Sequence, residues 1–177
     1  MTRRDCLAVA GASTLAATPR PAISARSLRL DLVNTWTTVM SSSNHRETLA
    51  VTVHHDGVEG IGEGAPIVRY GESAAKGVEI VKGLEDLFNG ADFSQYAALL
   101  DKVFARVPGA WATKAAIDIA LHDWAAKRLG VPLWKMWGLD PSATPQTTFS
   151  IGIDKAEVIR RKVREAAAYP ILKVKVG

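Results

Sequence analysis

The chain has 177 residues, of which 47% are hydrophobic and 23% are charged, and its formal net charge is +4. This composition is typical of a globular protein with room for one domain and the beginning of another. Much of the positive charge lies in the N-terminal segment and in residues 155–164, where a solvated helix face accounts for it. No basic tract interleaves with aromatic residues, so nucleic acid is excluded as an expected partner.

The first 25 residues differ in composition from the rest of the chain. Arg3 and Arg4 precede a short run of small and apolar residues, and residues 23–25 (Ile-Ser-Ala) offer a small-residue cleavage site. This order predicts a twin-arginine-type export signal over residues 1–25, and hence a periplasmic or exported protein. An untargeted N-terminus and a cytoplasmic protein are the alternative. No apolar run reaches the about 20 residues that cross a bilayer, so no membrane span is expected.

Three strands are predicted after this segment. Residues 27–33 alternate between apolar and polar side chains, residues 47–54 form a second β-rich run, and residues 58–64 form a glycine-punctuated third strand after an Asp-Gly turn. Residues 37–46, between the first two strands, are polar and serine-rich and predict a loop long enough to carry function. The expected arrangement is an antiparallel meander.

Helices and a second group of strands are predicted beyond Pro66. Ser73 is a candidate N-cap for the first of these helices. A strand, a helix and a further strand at the end of the chain indicate the start of a parallel α/β arrangement. The predicted segments are helices over 72–88, 93–104 and 110–129, a strand over 147–153, a helix over 154–168 and a strand over 172–177.

The last predicted strand carries two lysines one residue apart. Lys173 and Lys175 share one face of this strand, and apolar residues occupy the other face. Two neighbouring ammonium groups disfavour each other's protonated form, which suits a lysine that acts as a base. A solvated surface strand is the alternative interpretation.

Five segments of the sequence match a known family in their order and spacing. They read GIGEGAP, RYGES, AIDIALHDWAAKRLGVPLWKMWG, TTFSIGI and LKVKVG. With them the chain resembles the enolase superfamily, in particular its muconate-lactonizing subgroup and, within it, the dipeptide epimerases. The resemblance implies an α+β capping domain over residues 26–140, followed at 141–177 by the first βαβ unit of a modified TIM (β/α) barrel. The barrel is expected to be incomplete in this chain.

The resemblance also implies roles for residues of the first two barrel strands. In the resembling enzymes the second lysine of the Lys-X-Lys motif is the acid/base catalyst, and the first supports it and the substrate carboxylate. This implies that Lys175 is the catalyst and that Lys173 supports it. Ser150 stands where relatives have a hydroxyl-bearing residue that faces the ligand.

Two loops of the resembling enzymes cover the mouth of the barrel and select the substrate, and here they correspond to residues 36–44 and 65–73. Arg69 and Tyr70, in the second loop, are implied to contact a substrate carboxylate or backbone, with solvated loop residues as the alternative. Epimerases that act on alanyl-glutamate often carry an arginine in the first loop. This chain has none there before Arg46, so a less charged dipeptide stays open beside an acidic one.

The implied reaction is an isomerase reaction that removes the proton α to the carboxylate of a dipeptide through an enediolate stabilised by Mg²⁺. The family's metal ligands and its second catalytic lysine lie on later barrel strands, so no metal ligand is assigned within these 177 residues. The chain as given is expected to be inactive by itself. The alternatives are a muconate cycloisomerase or an o-succinylbenzoate synthase-like enzyme and, from another class, a non-catalytic truncated module. The expected partner is a small-molecule dipeptide, and a homo-oligomer of the full-length enzyme stays open.

Some acidic and histidine residues are expected to be structural. His122 and Asp123 point about 100 degrees apart on a helix and do not converge on one ion, and Asp118 lies on the same helix. Glu63 is expected to be a buried, hydrogen-bonded carboxylate at the end of a strand.

Overall fold

The computed structural model describes residues 20–176, so most of the predicted export signal lies outside the described residues. No helix within this range has both the length and the apolar character that a membrane crossing requires. The strands are β1 (Ile23–Thr37), β2 (Ser42–His55), β3 (Val58–Gly64), β4 (Thr148–Ile151) and β5 (Ile171–Val174). The helices are α1 (Ala74–Lys82), α2 (Glu85–Phe88), α3 (Tyr96–Arg106), α4 (Trp111–Arg128), α5 (Leu133–Met136) and α6 (Ala156–Glu165).

The first three strands form the predicted antiparallel meander, in the order β1-β2-β3. Leu49, Val51 and Val53 alternate along β2 and are fully buried, because α1 and α4 cover that face of the sheet. The side chains of α4, Ile117 and Leu121 among them, complete this core. The capping domain is therefore one sheet with its helices on one face.

The first strand begins before residue 27, where the sequence pattern predicts its start. β1 begins at Ile23, which is fully buried and pairs with Val53, and the carbonyl of Ala22 accepts a hydrogen bond of 2.9 Å from the N–H of His54. A boundary after Ala25 divides this strand. The small residues that suit a cleavage site also suit the start of a strand, so their composition alone does not distinguish the two.

The predicted loop over residues 37–46 is mostly strand. β1 and β2 continue as a long hairpin that closes in a turn over residues 38–41, where Thr38 N–H donates to the Ser41 carbonyl at 2.9 Å. The pairing register shifts between Asp31 and Trp36, so extra residues bulge from β1. Polar serines and threonines marked this segment as a loop, yet cross-strand pairing extends through them.

The helix predicted over residues 72–88 is two helices. Ser73 is the N-cap of α1, as predicted, and its side chain accepts from the N–H of Lys76 at 3.2 Å. α1 ends at Lys82, and Gly83 and Leu84 redirect the chain into α2. After the cap, β4, α6 and β5 form the predicted strand-helix-strand unit, and β4 and β5 pair in parallel.

Candidate active site at the ends of two parallel strands

The parallel pairing of β4 and β5 places three of the predicted site residues together. Ser150 is the register partner of Lys173, so both side chains leave the same face of the sheet. The N–H of Lys175 donates to the carbonyl of Ile151 at 2.9 Å, which extends the pairing past the end of β5. Lys175 therefore follows Lys173 on that face, at the carboxyl ends of both strands, where (β/α) barrels carry their catalytic groups.

The two lysines differ in exposure. Lys173 is exposed and Lys175 is half-buried. The opposite face of the strand pair is apolar, since Ile151 is buried and Phe149 packs on Tyr169 with ring centroids 4.7 Å apart. This packing fixes the pleat of β4 and β5 and so decides which face the lysines occupy.

The hairpin of the cap reaches the end of β4. The N–H of Ile153 donates to the carbonyl of Thr37 at 2.9 Å, and Gly152, directly after β4, is buried against Thr37. A cavity of about 370 Å³ lies between the hairpin and β4. Its lining includes Trp36, Arg46, Ser150, Gly152 and Lys162.

Two cations, Arg46 and Lys162, line this cavity, and neither is among the site residues that the sequence predicts. Lys162 is only 6% exposed and pairs with Asp154 at 3.0 Å. The hydrogen bond from Lys162, together with the backbone N–H of Lys155, holds the pKa of Asp154 below its usual range. Arg46 donates to the carbonyl of His45 at 2.9 Å. The prediction of a solvated basic helix face over residues 155–164 is therefore wrong for Lys162, whose partner lies eight residues away, across the turn before α6.

Arg69 and Tyr70 lie on the loop between β3 and α1, separate from the strand ends that carry Ser150 and the two lysines. Both residues are exposed in a single 3₁₀ turn (Val68–Tyr70), and the Arg69 guanidinium lies 5.9 Å from the centroid of the Tyr70 ring. These two side chains contact each other, and neither is among the residues that line the cavity beside Ser150.

The acidic residues and the histidine of α4 have structural partners, as expected. Asp123 accepts from the N–H of Ile61 at 2.8 Å and from Lys127 at 2.7 Å, which ties α4 to the outer edge of β3. The Nδ1 atom of His122 lies 2.8 Å from Asp118 Oδ1, and the two residues are one helical turn apart.

The expectation for Glu63 is wrong, because this residue is exposed. β3 is an edge strand, and Glu63 lies between Gly62 and Gly64, whose positions face α4. Its side chain therefore points to the uncovered face of the sheet.

The described residues do not supply a metal site. Within residues 20–176, no three or more His, Cys, Asp or Glu side chains lie together in a group that could hold a metal ion. Mg²⁺ prefers carboxylate oxygens, and the acidic residues near β4 are Asp154, which is paired with Lys162, and exposed helix positions.

The fold and the strand ends together define an α+β capping domain joined to the first strands of a (β/α) barrel. Residues 27–138 match the family described as mandelate racemase / muconate lactonizing enzyme, N-terminal domain. The chain belongs to this family, within the enolase superfamily.

Two curated relatives are named as epimerases. The chain is 38% identical over 149 residues to an L-Ala-D/L-Glu epimerase of Bacteroides thetaiotaomicron, a match that covers 84% of this chain and 39% of that protein. It is 37% identical over 153 residues to an L-Ala-D/L-amino acid epimerase of Pedosphaera parvula, covering 84% and 44%. The chain therefore spans less than half the length of these relatives.

A solved structure has the same fold and contains a metal. The dipeptide epimerase of Methylococcus capsulatus, complexed with Mg and the dipeptide L-Arg-D-Lys, superposes with a TM-score of 0.78 at 30% identity. The match covers 87% of this chain and 45% of that chain.

Proposed function

We propose that the whole protein is a dipeptide epimerase that inverts the carbon α to the carboxylate of its substrate. The observation that carries this proposal is the parallel register of β4 and β5, which places Ser150 beside Lys173 with Lys175 next along the same face. The names of the relatives at 37% and 38% identity support the same reaction class.

In the proposed reaction Lys175, as the neutral amine, accepts the α-proton of the dipeptide at Nζ, and a second lysine on a later barrel strand of the whole protein returns a proton to the opposite face of the α-carbon. Lys173 supports Lys175 and attracts the substrate carboxylate, while the Ser150 hydroxyl donates a hydrogen bond to the ligand. Half-burial of Lys175 limits the access of water to its amine. Arg69 and Tyr70 are proposed to contact the carboxylate or the backbone of the dipeptide from the second loop.

Mg²⁺ is proposed as the cofactor of the whole protein, by analogy with the relatives that contain it. When bound, it stabilises the negative charge that develops on the carboxylate oxygens of the substrate. Its ligands are proposed to lie outside residues 20–176, because the residues within that range do not form a site for it.

Deuterium exchange tests the reaction. The full-length protein is incubated in D₂O with Mg²⁺ and a dipeptide library whose second residue is acidic, hydrophobic or cationic, and deuterium uptake at the α-carbon is measured by mass spectrometry. We expect uptake for one of these classes. Lys175→Ala should lower the exchange rate about a hundred- to ten-thousand-fold, because the positioned base is lost.

Lys102→Ala is the matched control, since Lys102 is an exposed lysine on α3 of the cap. It should leave the exchange rate unchanged. Absence of exchange with every dipeptide would contradict the proposal, and lactone formation from muconate in the same preparation would favour the cycloisomerase alternative.

A further inference from the structure

Glu72 joins two parts of the cap that are far apart in sequence. Its Oε2 atom accepts a hydrogen bond from the backbone N–H of Ile67 at 3.2 Å, and its Oε1 atom accepts one from the N–H of Ala112 at 3.1 Å. Ile67 precedes the 3₁₀ turn that carries Arg69 and Tyr70, whereas Ala112 lies in the first turn of α4. A single half-buried carboxylate therefore connects the loop to the helix.

The backbone N–H groups in the first turn of α4 need a hydrogen-bond acceptor from outside the helix. Its N-cap residue, Ala110, has a left-handed backbone (φ 48) and makes no side-chain capping hydrogen bond. Because the first N–H groups of a helix have no partner within the helix and carry partial positive charge, a carboxylate placed there is favourable. Glu72 supplies both the acceptor and the negative charge.

The loop that Glu72 holds is itself a closed turn. Tyr70 N–H donates to the Ile67 carbonyl and Gly71 N–H donates to the Val68 carbonyl, both at 2.9 Å. The carbonyl of Gly71 also accepts from Lys76 Nζ at 2.9 Å. These bonds fix the shape of the loop, and the bond from Glu72 to α4 fixes its orientation.

The helix at the other end of this connection is held firmly. α4 packs directly on the backbone of β3, where Gly60, Gly62 and Gly64 leave no space for a side chain. A loop bonded to the first turn of α4 is therefore bonded to the core of the cap.

We propose that Glu72 is a positioning residue, which sets the orientation of the loop over residues 65–73 on α4 and thereby the placement of Arg69 and Tyr70. What the loop contacts rests on the proposed function, whereas the connection itself stands on the two hydrogen bonds. Glu72 does not touch the reacting atoms in this proposal.

The test compares Glu72→Gln with Glu72→Ala in the full-length protein. Glutamine has a single carbonyl oxygen, so it can accept from the Ile67 N–H or the Ala112 N–H but lacks the second carboxylate oxygen. Alanine removes both bonds. Glu79→Gln is the matched control, because Glu79 is an exposed glutamate on α1 whose side chain pairs with the exposed Lys82.

Hydrogen-exchange mass spectrometry provides the first readout, over peptides covering residues 65–71 and 110–114. We expect exchange in both peptides to become about 10- to 100-fold faster in Glu72→Ala, the range that corresponds to a lost hydrogen bond to a charged group. Glu72→Gln should show a smaller increase and Glu79→Gln none. Unchanged exchange in Glu72→Ala overturns the proposal.

Dipeptide kinetics provide the second readout. A displaced loop weakens substrate binding but leaves the lysines in place, so KM should rise severalfold in Glu72→Ala while kcat stays within about twofold. A fall in kcat at constant KM overturns the positioning role. If the wild-type protein exchanges no dipeptide, the proposed function fails, and the hydrogen-exchange result alone then decides whether Glu72 holds the loop.

Discussion

Gly60, Gly62 and Gly64 show how single residues set the distance between the sheet and α4. At each of them a Cβ atom would overlap a carbonyl oxygen of the helix, and from Gly60 to Gly64 this oxygen belongs to a residue one helical turn earlier in α4 at each step. None of the three has a positive φ, so the requirement for glycine comes from the close approach and not from a turn. The close approach of α4 is therefore the structural reason for the three glycines of β3.

Gly62→Ala should therefore destabilise the cap strongly. The new Cβ would meet the carbonyl oxygen of Ala116 and lie 2.6 Å from the Ala120 nitrogen, so the helix has to move away from the strand. We expect the free energy of unfolding, measured by urea denaturation, to fall by about 3 kcal/mol. Glu63→Ala, an exposed neighbour on the same strand, should change it by less than about 0.5 kcal/mol.

A second substitution tests whether the backbone of α4 or the side chain of Ala116 prevents a Cβ atom at residue 62. The overlapping atoms of α4 are backbone atoms, so adding Ala116→Gly to Gly62→Ala should not restore stability. Recovery of wild-type stability in the double variant would mean that the Ala116 side chain, and not the helix backbone, sets the distance.

At the scale of elements, β1 begins earlier than its sequence pattern indicates. The alternation of apolar and polar residues from 27 onwards predicts a strand, but Ile23, Ser24 and Ala25 extend it by pairing with β2. Small residues before a strand carry no periodic signal, so only the partner strand determines that they belong to the sheet.

Cleavage of an export signal, if it occurs, should therefore lie upstream of Ala22. Removing Ile23 from the core costs about 1.5–3 kcal/mol of hydrophobic burial, in addition to the strand pairing. A chain that starts at Arg26 should unfold at lower urea concentration than one that starts at Pro21.

Mass spectrometry of the N-terminus of the exported protein checks the position of the cleavage. In the full chain, Ile23→Ala should reproduce most of the loss of stability, and Ser24→Ala, at an exposed position of the same strand, should not. A mature protein that starts at Arg26 with unchanged stability would contradict this account.

At the scale of the whole molecule, the parts of the site that follow from local patterns were predictable. The two lysines on one strand face follow from a period of two, and Ser73 follows from N-cap chemistry. The bond from Glu72 to Ala112 and the pair between Asp154 and Lys162 were not predicted. The first depends on which segments the fold brings together, and the second depends on α6 beginning after Asp154, and no local periodicity encodes either.

The contact between the hairpin and β4 is the clearest case of such non-local dependence, and it is set by the size of Gly152. A Cβ atom at this residue would lie 2.9 Å from the Thr37 carbonyl oxygen and 3.0 Å from the Thr37 nitrogen. The same carbonyl oxygen accepts the hydrogen bond from Ile153. Any side chain at this position therefore pushes the hairpin away from the strand that carries Ser150.

Gly152→Ala should loosen the hairpin while leaving the core of the cap intact. We expect faster hydrogen exchange in peptides covering residues 36–43 and 150–155, and a further increase in Gly152→Val, because displacement grows with side-chain size. Ser41→Ala is the control, since Ser41 is an exposed turn residue. Its backbone carbonyl accepts the hydrogen bond from the N–H of Thr38, and the substitution keeps this carbonyl. Exchange that stays at the wild-type rate in Gly152→Val would show that the hairpin is held to the barrel strand by contacts other than this one.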